Sequence, residues 1–163
     1  MNFNTYKISI LFLLKIFLLN SSLLLAAPSI PLNTSNNYQL DVNAPTILKD
    51  IIKFLEDKDY QSAIDAGEKA VKYYPDNADA WNYLGYSFRK AEFYDQSKIA
   101  YEKALKINPK HTGALEYYGE LFLTLGQLNK AEEMLNRLKD ICSINCNDMK
   151  KLEKAIKEYK ENQ

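Results

Sequence analysis

The chain has few of the residues on which side-chain catalysis and metal binding usually depend. Its 163 residues include five glycines, two cysteines and one histidine, His111. There is no glycine-rich phosphate loop, no GxSxG nucleophile turn and no HExxH pair. A single histidine cannot supply a histidine-rich metal site. We therefore predict no enzymatic activity, no cofactor and no metal, and we expect His111 to be a solvated turn residue.

Excess charge of either sign is also missing. The sequence balances 21 basic against 21 acidic residues, and loss of Lys7 and Lys15 with a leader would leave 19 against 21. A general nucleic-acid binder would carry a basic stripe. The composition therefore argues against a nucleic-acid partner.

The amino end has the pattern of a secretory signal, with Lys7 before an apolar stretch that closes on two alanines. Because Lys15 interrupts the window long enough to span a bilayer, export with cleavage is favoured over a retained anchor. Pro28 directly after the alanines fits cleavage poorly, so a membrane tether formed by residues 8–27 is the alternative. Residues 1–27 are thus a signal peptide or membrane anchor. The protein is expected to be periplasmic or secreted, with membrane contact only if this segment is retained.

A polar stretch at 28–43, rich in Pro, Asn, Ser and Thr, reads as a flexible linker. Residues 44–163 then form one domain of ordinary size. Within it the sequence repeats at an offset of thirty-four residues: Gly85 recurs as Gly119, and Phe88 as Phe122. Prolines at 75 and 109 share another column. A period of this length is typical of a helical repeat scaffold.

The middle repeat carries Trp81, Leu84, Gly85, Phe88, Ser97, Tyr101, Ala104 and Pro109. With these residues the chain resembles the tetratricopeptide repeat family, whose pattern is W-x2-L-G-x2-Y, A-x3-F and P. The register gives units of about 44–77, 78–111 and 112–145. In the first unit Asp50 and Ile51 stand where Leu and Gly recur. The resemblance implies an all-α, right-handed α-solenoid of about three helix-turn-helix units.

The predicted helix pairs are 44–57 with 60–74, 78–91 with 94–107, and 112–125 with 128–140. Each pair must stack on its neighbours, because one unit alone cannot bury its apolar face. An amphipathic segment at about 148–161 follows, with Asp148 as its candidate helix cap. We interpret this segment as a capping helix rather than a free partner-binding helix.

Cys142 and Cys146 lie between the last pair and the capping helix. In an exported protein a disulfide between them is favoured over two free thiols or a redox or metal role, since no CxxC spacing is present. Such a bridge would close only a very small loop.

The resemblance also implies a binding surface, because in this family the first helix of each unit lines a concave groove. The positions predicted to contact a partner are Asn82, Tyr83, Tyr86, Arg89, Lys90, Glu116, Tyr117 and Glu120. Asp79, Leu123 and Thr124, together with Leu48, Lys49, Ile52 and Leu55 of the first unit, flank them. The tyrosines either contact a partner or serve as packing residues.

From these positions we predict a non-enzymatic adaptor of the cell envelope that binds a protein or peptide. Glu116 and Glu120 would repel an acidic tail, so a basic or aromatic-apolar partner surface is expected. Two alternatives stay open: a self-associating structural subunit, and a thiol-dependent factor that uses Cys142 and Cys146. The oligomeric state does not follow from the sequence.

Overall fold

The computed structural model describes residues 44–142 and 146–162, and the leader and linker predicted for residues 1–43 lie outside that part of the chain. The described residues form seven helices and no strand. The helices are α1 (Ala44–Glu56), α2 (Tyr60–Tyr73), α3 (Ala78–Lys90), α4 (Tyr94–Ile107), α5 (Thr112–Thr124), α6 (Leu128–Ile141) and α7 (Asn147–Glu161). The all-α helical repeat fold is confirmed, and every helix bound lies within one residue of its prediction.

The turn inside each helix pair is built in the same way three times. Lys58, Glu92 and Gly126 occupy one repeat column, and all three have positive φ, at 58°, 65° and 71°. The next residue then donates its backbone N–H to the carbonyl five residues earlier, as Phe93 does to Phe88 at 2.9 Å. This left-handed turn closes the first helix of every unit, although only the third unit uses the glycine that favours it.

The second helix of a unit ends where proline approaches. Helix α2 ends at Tyr73, two residues before Pro75, and α4 ends at Ile107, two residues before Pro109. Proline disfavours helical geometry for the residue before it, which explains both ends. The following helices begin on side-chain caps: Asn77 accepts from Ala80 N at 2.9 Å, and His111 Nδ1 accepts from Ala114 N at 3.1 Å.

Small residues in the repeat allow the helices of a pair to approach closely. A Cβ added at Gly85 would lie 2.7 Å from the Tyr101 ring, and Ser97 donates a buried hydrogen bond to the Gly85 carbonyl at 2.7 Å. The first unit distributes its volume differently, since Ile51 stands in the Gly85 column and Gly67 in the Tyr101 column. Ile51 is fully buried against Ala63, Ala70 and Ala80, so the first unit keeps its helix pair.

Helix α7 packs on the third unit as a cap. Leu152 and Ile156 are buried in the main core, and a Cβ added at Gly119 would lie 2.5 Å from Leu152. The prediction that Asp148 caps this helix is wrong, because the helix begins one residue earlier, at Asn147. The Asp148 carboxylate instead accepts a hydrogen bond from the Thr112 hydroxyl at 2.7 Å and so joins α7 to α5.

The connection between α6 and α7 contains a disulfide. Cys142 and Cys146 are bonded, with their Cα atoms 5.5 Å apart. None of the helices in the described residues is sufficiently long and apolar to cross a membrane.

Candidate functional site

The first helices of the second and third units meet through an aromatic and charged cluster. The rings of Tyr86 on α3 and Tyr117 on α5 are 4.7 Å apart between centroids and tilted by 52°. The Arg89 guanidinium lies 5.2 Å from the Tyr86 ring centroid and 5.9 Å from that of Tyr117. Its Nη2 also forms an ion pair with Glu120 at 2.6 Å. We call these four residues the tyrosine–arginine cluster.

All three predicted tyrosines, two of them in this cluster, remain partly exposed. Tyr86 and Tyr117 are half-buried, and Tyr83 is half-buried against the core of the first unit. Lys90 is exposed, with its ammonium 5.8 Å from the Tyr60 ring centroid. Each ring packs on a neighbouring unit and still offers surface to solvent, so the packing role is present and contact with a partner stays a prediction.

Asn82 and Glu116 occupy the same column of successive units, and the structure buries both. Asn82 is 4% exposed and Glu116 is 2% exposed, although both were predicted to contact a partner at the surface. The Asn82 Oδ1 and Glu116 Oε2 atoms are buried without a hydrogen-bond partner. A buried acceptor without a hydrogen bond destabilises the folded state, so both positions are unusual for a protein interior.

Glu116 faces the capping helix. Lys151 of α7 brings its Nζ to 3.5 Å from Glu116 Oε2 and 3.7 Å from Asp148 Oδ1. Burial raises the pKa of Glu116 to about 7, with Glu120 and Asp148 adding to the rise and Lys151 opposing it. Burial, the neighbouring Glu116 and other nearby groups raise the pKa of Tyr117 to about 12. Burial is therefore the main cause of both shifts, and the neighbouring acidic groups add to it.

The remaining predicted positions divide between surface and core. Lys49, Asp79 and Thr124 are exposed, while Leu123 is buried in the main core. Leu48 and Leu55 are partly buried against the first-unit core. We call one surface the first-helix face. It consists of the tyrosine–arginine cluster together with Leu48, Lys49 and Leu55 of α1, Asp79, Tyr83 and Lys90 of α3, and Thr124 of α5.

His111 has a structural role that the sequence did not reveal. Besides capping α5, its Nε2 lies 3.0 Å from Asp79 Oδ1 on α3, and the imidazole is 12% exposed. The expectation of a solvated turn residue is therefore wrong. Because Nδ1 accepts the Ala114 N–H, Nε2 carries the proton and donates to Asp79.

Family models of the tetratricopeptide repeat match residues 53–92, 78–111 and 100–133. Together they include the left-handed turn that follows the first helix of each unit. The chain contains tetratricopeptide repeats. A curated relative, tetratricopeptide repeat protein 37 of Xenopus laevis, is 29% identical over 90 residues. That match includes 55% of this chain but only 6% of the length of the relative.

Solved tetratricopeptide domains share the fold at low sequence identity. The TPR2B domain of yeast Sti1, in a complex with pHsp70, has a TM-score of 0.66 and 15% identity, over 74% of this chain and 98% of that one. The Arabidopsis OM64 domain has a TM-score of 0.63 and 16% identity, over 71% and 95%. The Yersinia enterocolitica type III secretion translocator chaperone SycD has a TM-score of 0.63 and 17% identity, over 73% and 89%.

The tetratricopeptide register continues into the capping helix, which the sequence analysis overlooked. Lys151 stands thirty-four residues after Tyr117, just as Tyr117 stands thirty-four residues after Tyr83. Likewise Leu152 follows the column of Leu84 and Tyr118. Helix α7 therefore takes the place of a fourth first helix, and Lys151 occupies the repeat column of Tyr83 and Tyr117.

A cavity of about 600 Å³ lies elsewhere, between α6 and α7. Leu135 and Ile156 line it, and the ion pairs Lys139–Glu153 at 3.2 Å and Lys160–Glu132 at 2.6 Å join the two helices beside it. Within the described residues no group of acidic, histidine or cysteine side chains could hold a metal ion.

Proposed function

We propose that this protein is a non-enzymatic interaction module of the cell envelope, which binds a peptide or an extended protein segment on its first-helix face. The observation that supports the proposal most directly is the tyrosine–arginine cluster. It places two half-buried rings and a guanidinium across the junction of two repeats. Aromatic and arginine side chains are the residue types that dominate binding energy at protein interfaces.

Peptide binding by neighbouring folds is consistent with the proposal. The first tetratricopeptide domain of Spaghetti (RPAP3) is bound to the HSP90 peptide SRMEEVD, and the Sti1 domain is in a complex with pHsp70. Their identities to this chain are only 16% and 15%, so they support binding of a peptide or protein in general and not the identity of the ligand. The ligand of this chain must be deduced from its own side chains.

The envelope setting rests on two separate features. The basic start and apolar stretch of residues 1–27 match an export signal. The disulfide between Cys142 and Cys146 would persist in an oxidising compartment and would be rare in a reducing one. Cell fractionation with amino-terminal sequencing tests this part: we expect the protein outside the cytoplasm, and recovery from the cytoplasm with Met1 retained and both thiols free would contradict it.

Selection from a randomised peptide library tests the binding surface. The wild-type protein should enrich related sequences, and Tyr86→Ala with Tyr117→Ala should abolish enrichment because both ring surfaces are lost. Tyr73→Ala is the matched control, since Tyr73 lies on a second helix and is 53% exposed. Retained helical circular dichroism would show that the double variant is folded. Equal enrichment by the wild type and the folded double variant would refute the assignment of the face.

A further inference from the structure

The Glu116 carboxylate at the junction of α5 and α7 lacks a good partner. Oε2 has no hydrogen bond although the side chain is 2% exposed. The Lys151 ammonium is within ion-pair distance at 3.5 Å, but the lysine side chain is 55% exposed and is shared with Asp148 at 3.7 Å. A carboxylate this buried ordinarily accepts short charge-assisted hydrogen bonds, with N–O distances of about 2.7 to 2.9 Å. Lys151 therefore satisfies it only in part.

Lys151 shows how a cation from outside α5 can reach this carboxylate, because its side chain is 55% exposed and its Nζ lies 3.5 Å from Glu116 Oε2. We expect a cationic side chain of a bound segment to approach in the same way once Lys151 is displaced. Asp148 Oδ1 lies 3.7 Å from the same ammonium and is 28% exposed, and Glu120 lies one turn further along α5 and is also 28% exposed. Tyr117 is half-buried, and its hydroxyl is close enough to Glu116 and Asp148 for their charges to contribute to its raised pKa. Its ring offers an apolar surface for the stem of a long side chain.

The charges near the junction favour a positive ligand group. Three acidic groups, Glu116, Glu120 and Asp148, lie near two cations, and Arg89 already pairs with Glu120 at 2.6 Å. Among the described residues, Lys151 is thus the cation that a ligand would have to displace from Glu116. Because it is mostly exposed, its displacement into water costs little.

We infer that Glu116, Asp148 and Tyr117 form a subsite for an arginine or lysine side chain of the bound segment, and that Lys151 is an exchangeable internal counterion of this subsite. This inference rests on the proposed function, because it names the ligand chemistry of the same face. It assigns a binding role to the capping helix, which closes the third repeat and also carries part of the subsite.

Blocked nonapeptides provide the test. Each contains one tyrosine in a background of alanine, glycine and serine, and an arginine is scanned through the other positions. A second set replaces the arginine with citrulline, which keeps the shape and removes the charge. For the wild-type chain, the best arginine peptide should bind at least about tenfold more tightly than its citrulline counterpart, the size expected for a charge-assisted pair.

Three variants assign that preference to the subsite. Glu116→Gln should remove the arginine preference, so that arginine peptides and their citrulline counterparts bind it with equal affinity. Lys151→Met should strengthen arginine-peptide binding several-fold, because the internal competitor is gone. Lys154→Met is the control: Lys154 is 75% exposed, pairs with Glu158 at 3.5 Å, and should leave the preference unchanged.

The outcomes separate this inference from the proposed function. Equal binding of arginine and citrulline peptides to the wild type would overturn the cation subsite and leave the binding face intact. Weaker arginine binding by Lys151→Met, or an unchanged preference in folded Glu116→Gln, would also overturn it. If no peptide of either set binds the wild-type chain, the subsite and the peptide-binding function fail together.

Discussion

At the scale of single residues, Glu116 should dominate one part of the pH dependence of stability. Its pKa in the folded protein is about 7 against an ordinary value of 4.5, because burial penalises the charged form. At low pH the group is protonated in both states and costs nothing. As the pH rises through this interval, the unfolded chain loses its proton first, so folding stability is lost until the folded-state pKa is passed.

Glu116→Gln should therefore be more stable than the wild type at pH 8 by up to about 3 kcal/mol, and equal to it near pH 4. Lys151 and Asp148 from α7, and Glu120 and Tyr117 from α5, are the charged or titratable groups that set the size of this difference. Urea unfolding at pH 4, 6 and 8 measures it. Glu158→Gln, an exposed change on α7, is the control, and parallel curves for wild type and Glu116→Gln would contradict the prediction.

Gly119 is a second position where one atom decides the packing. Its added Cβ would meet Leu152 at 2.5 Å, and Leu152 is fully buried and has little freedom to move. Gly119→Ala should destabilise the protein by about 1 to 3 kcal/mol through overpacking against the cap. Gly113→Ala is the matched control on the same helix, because its nearest contact would be an ordinary 3.4 Å. Similar denaturant midpoints for the two variants would contradict the prediction, because they would show that α7 shifts to accommodate the added methyl group.

At the level of secondary-structure elements, the turns within the first two helix pairs do not have the most stabilising residue. Lys58 and Glu92 hold the left-handed conformation that Gly126 adopts without steric cost. Lys58→Gly and Glu92→Gly should each stabilise the protein by about 0.5 to 1 kcal/mol, after the larger entropy of glycine in the unfolded chain is subtracted. Gly126→Ala should have the opposite effect.

Thermal unfolding measures these turn variants. Lys98→Gly, at an exposed position inside α4, serves as the control and should destabilise by about 1 kcal/mol. A loss of stability in Lys58→Gly and Glu92→Gly that matches Lys98→Gly would mean that the backbone at the turns is not strained.

The elements were also the part of the fold that sequence could predict well. Repeat columns and proline positions located the six helices of the three units, and amphipathic spacing located α7. The left-handed turn column was missed because two of its three members, Lys58 and Glu92, are residue types that do not indicate positive φ. Asp148 was misassigned as a cap for a related reason: its hydroxyl partner, Thr112, is thirty-six residues away.

At the scale of the whole molecule, the candidate site depends on contacts between units, which periodicity alone cannot resolve. The register correctly placed Tyr86 and Tyr117 on neighbouring first helices, but it did not indicate that Arg89 and Glu120 pair with each other or that Glu116 is buried. The His111–Asp79 contact likewise joins the cap of α5 to α3, and the Glu116–Lys151 contact joins the third unit to α7. Side chains that look like unpaired charges when each helix is considered alone therefore form ion pairs or hydrogen bonds once the helices are stacked.

We propose that the first-helix face, from the tyrosine–arginine cluster to the cap, contacts the physiological partner. Site-specific photocrosslinking in the producing cell is the decisive experiment, with benzoylphenylalanine placed at Tyr86, Tyr117 or the control position Tyr73. We expect a discrete crosslinked product from positions 86 and 117 and none from position 73. Crosslinking from position 73, with none from the two positions on the first-helix face, would contradict it.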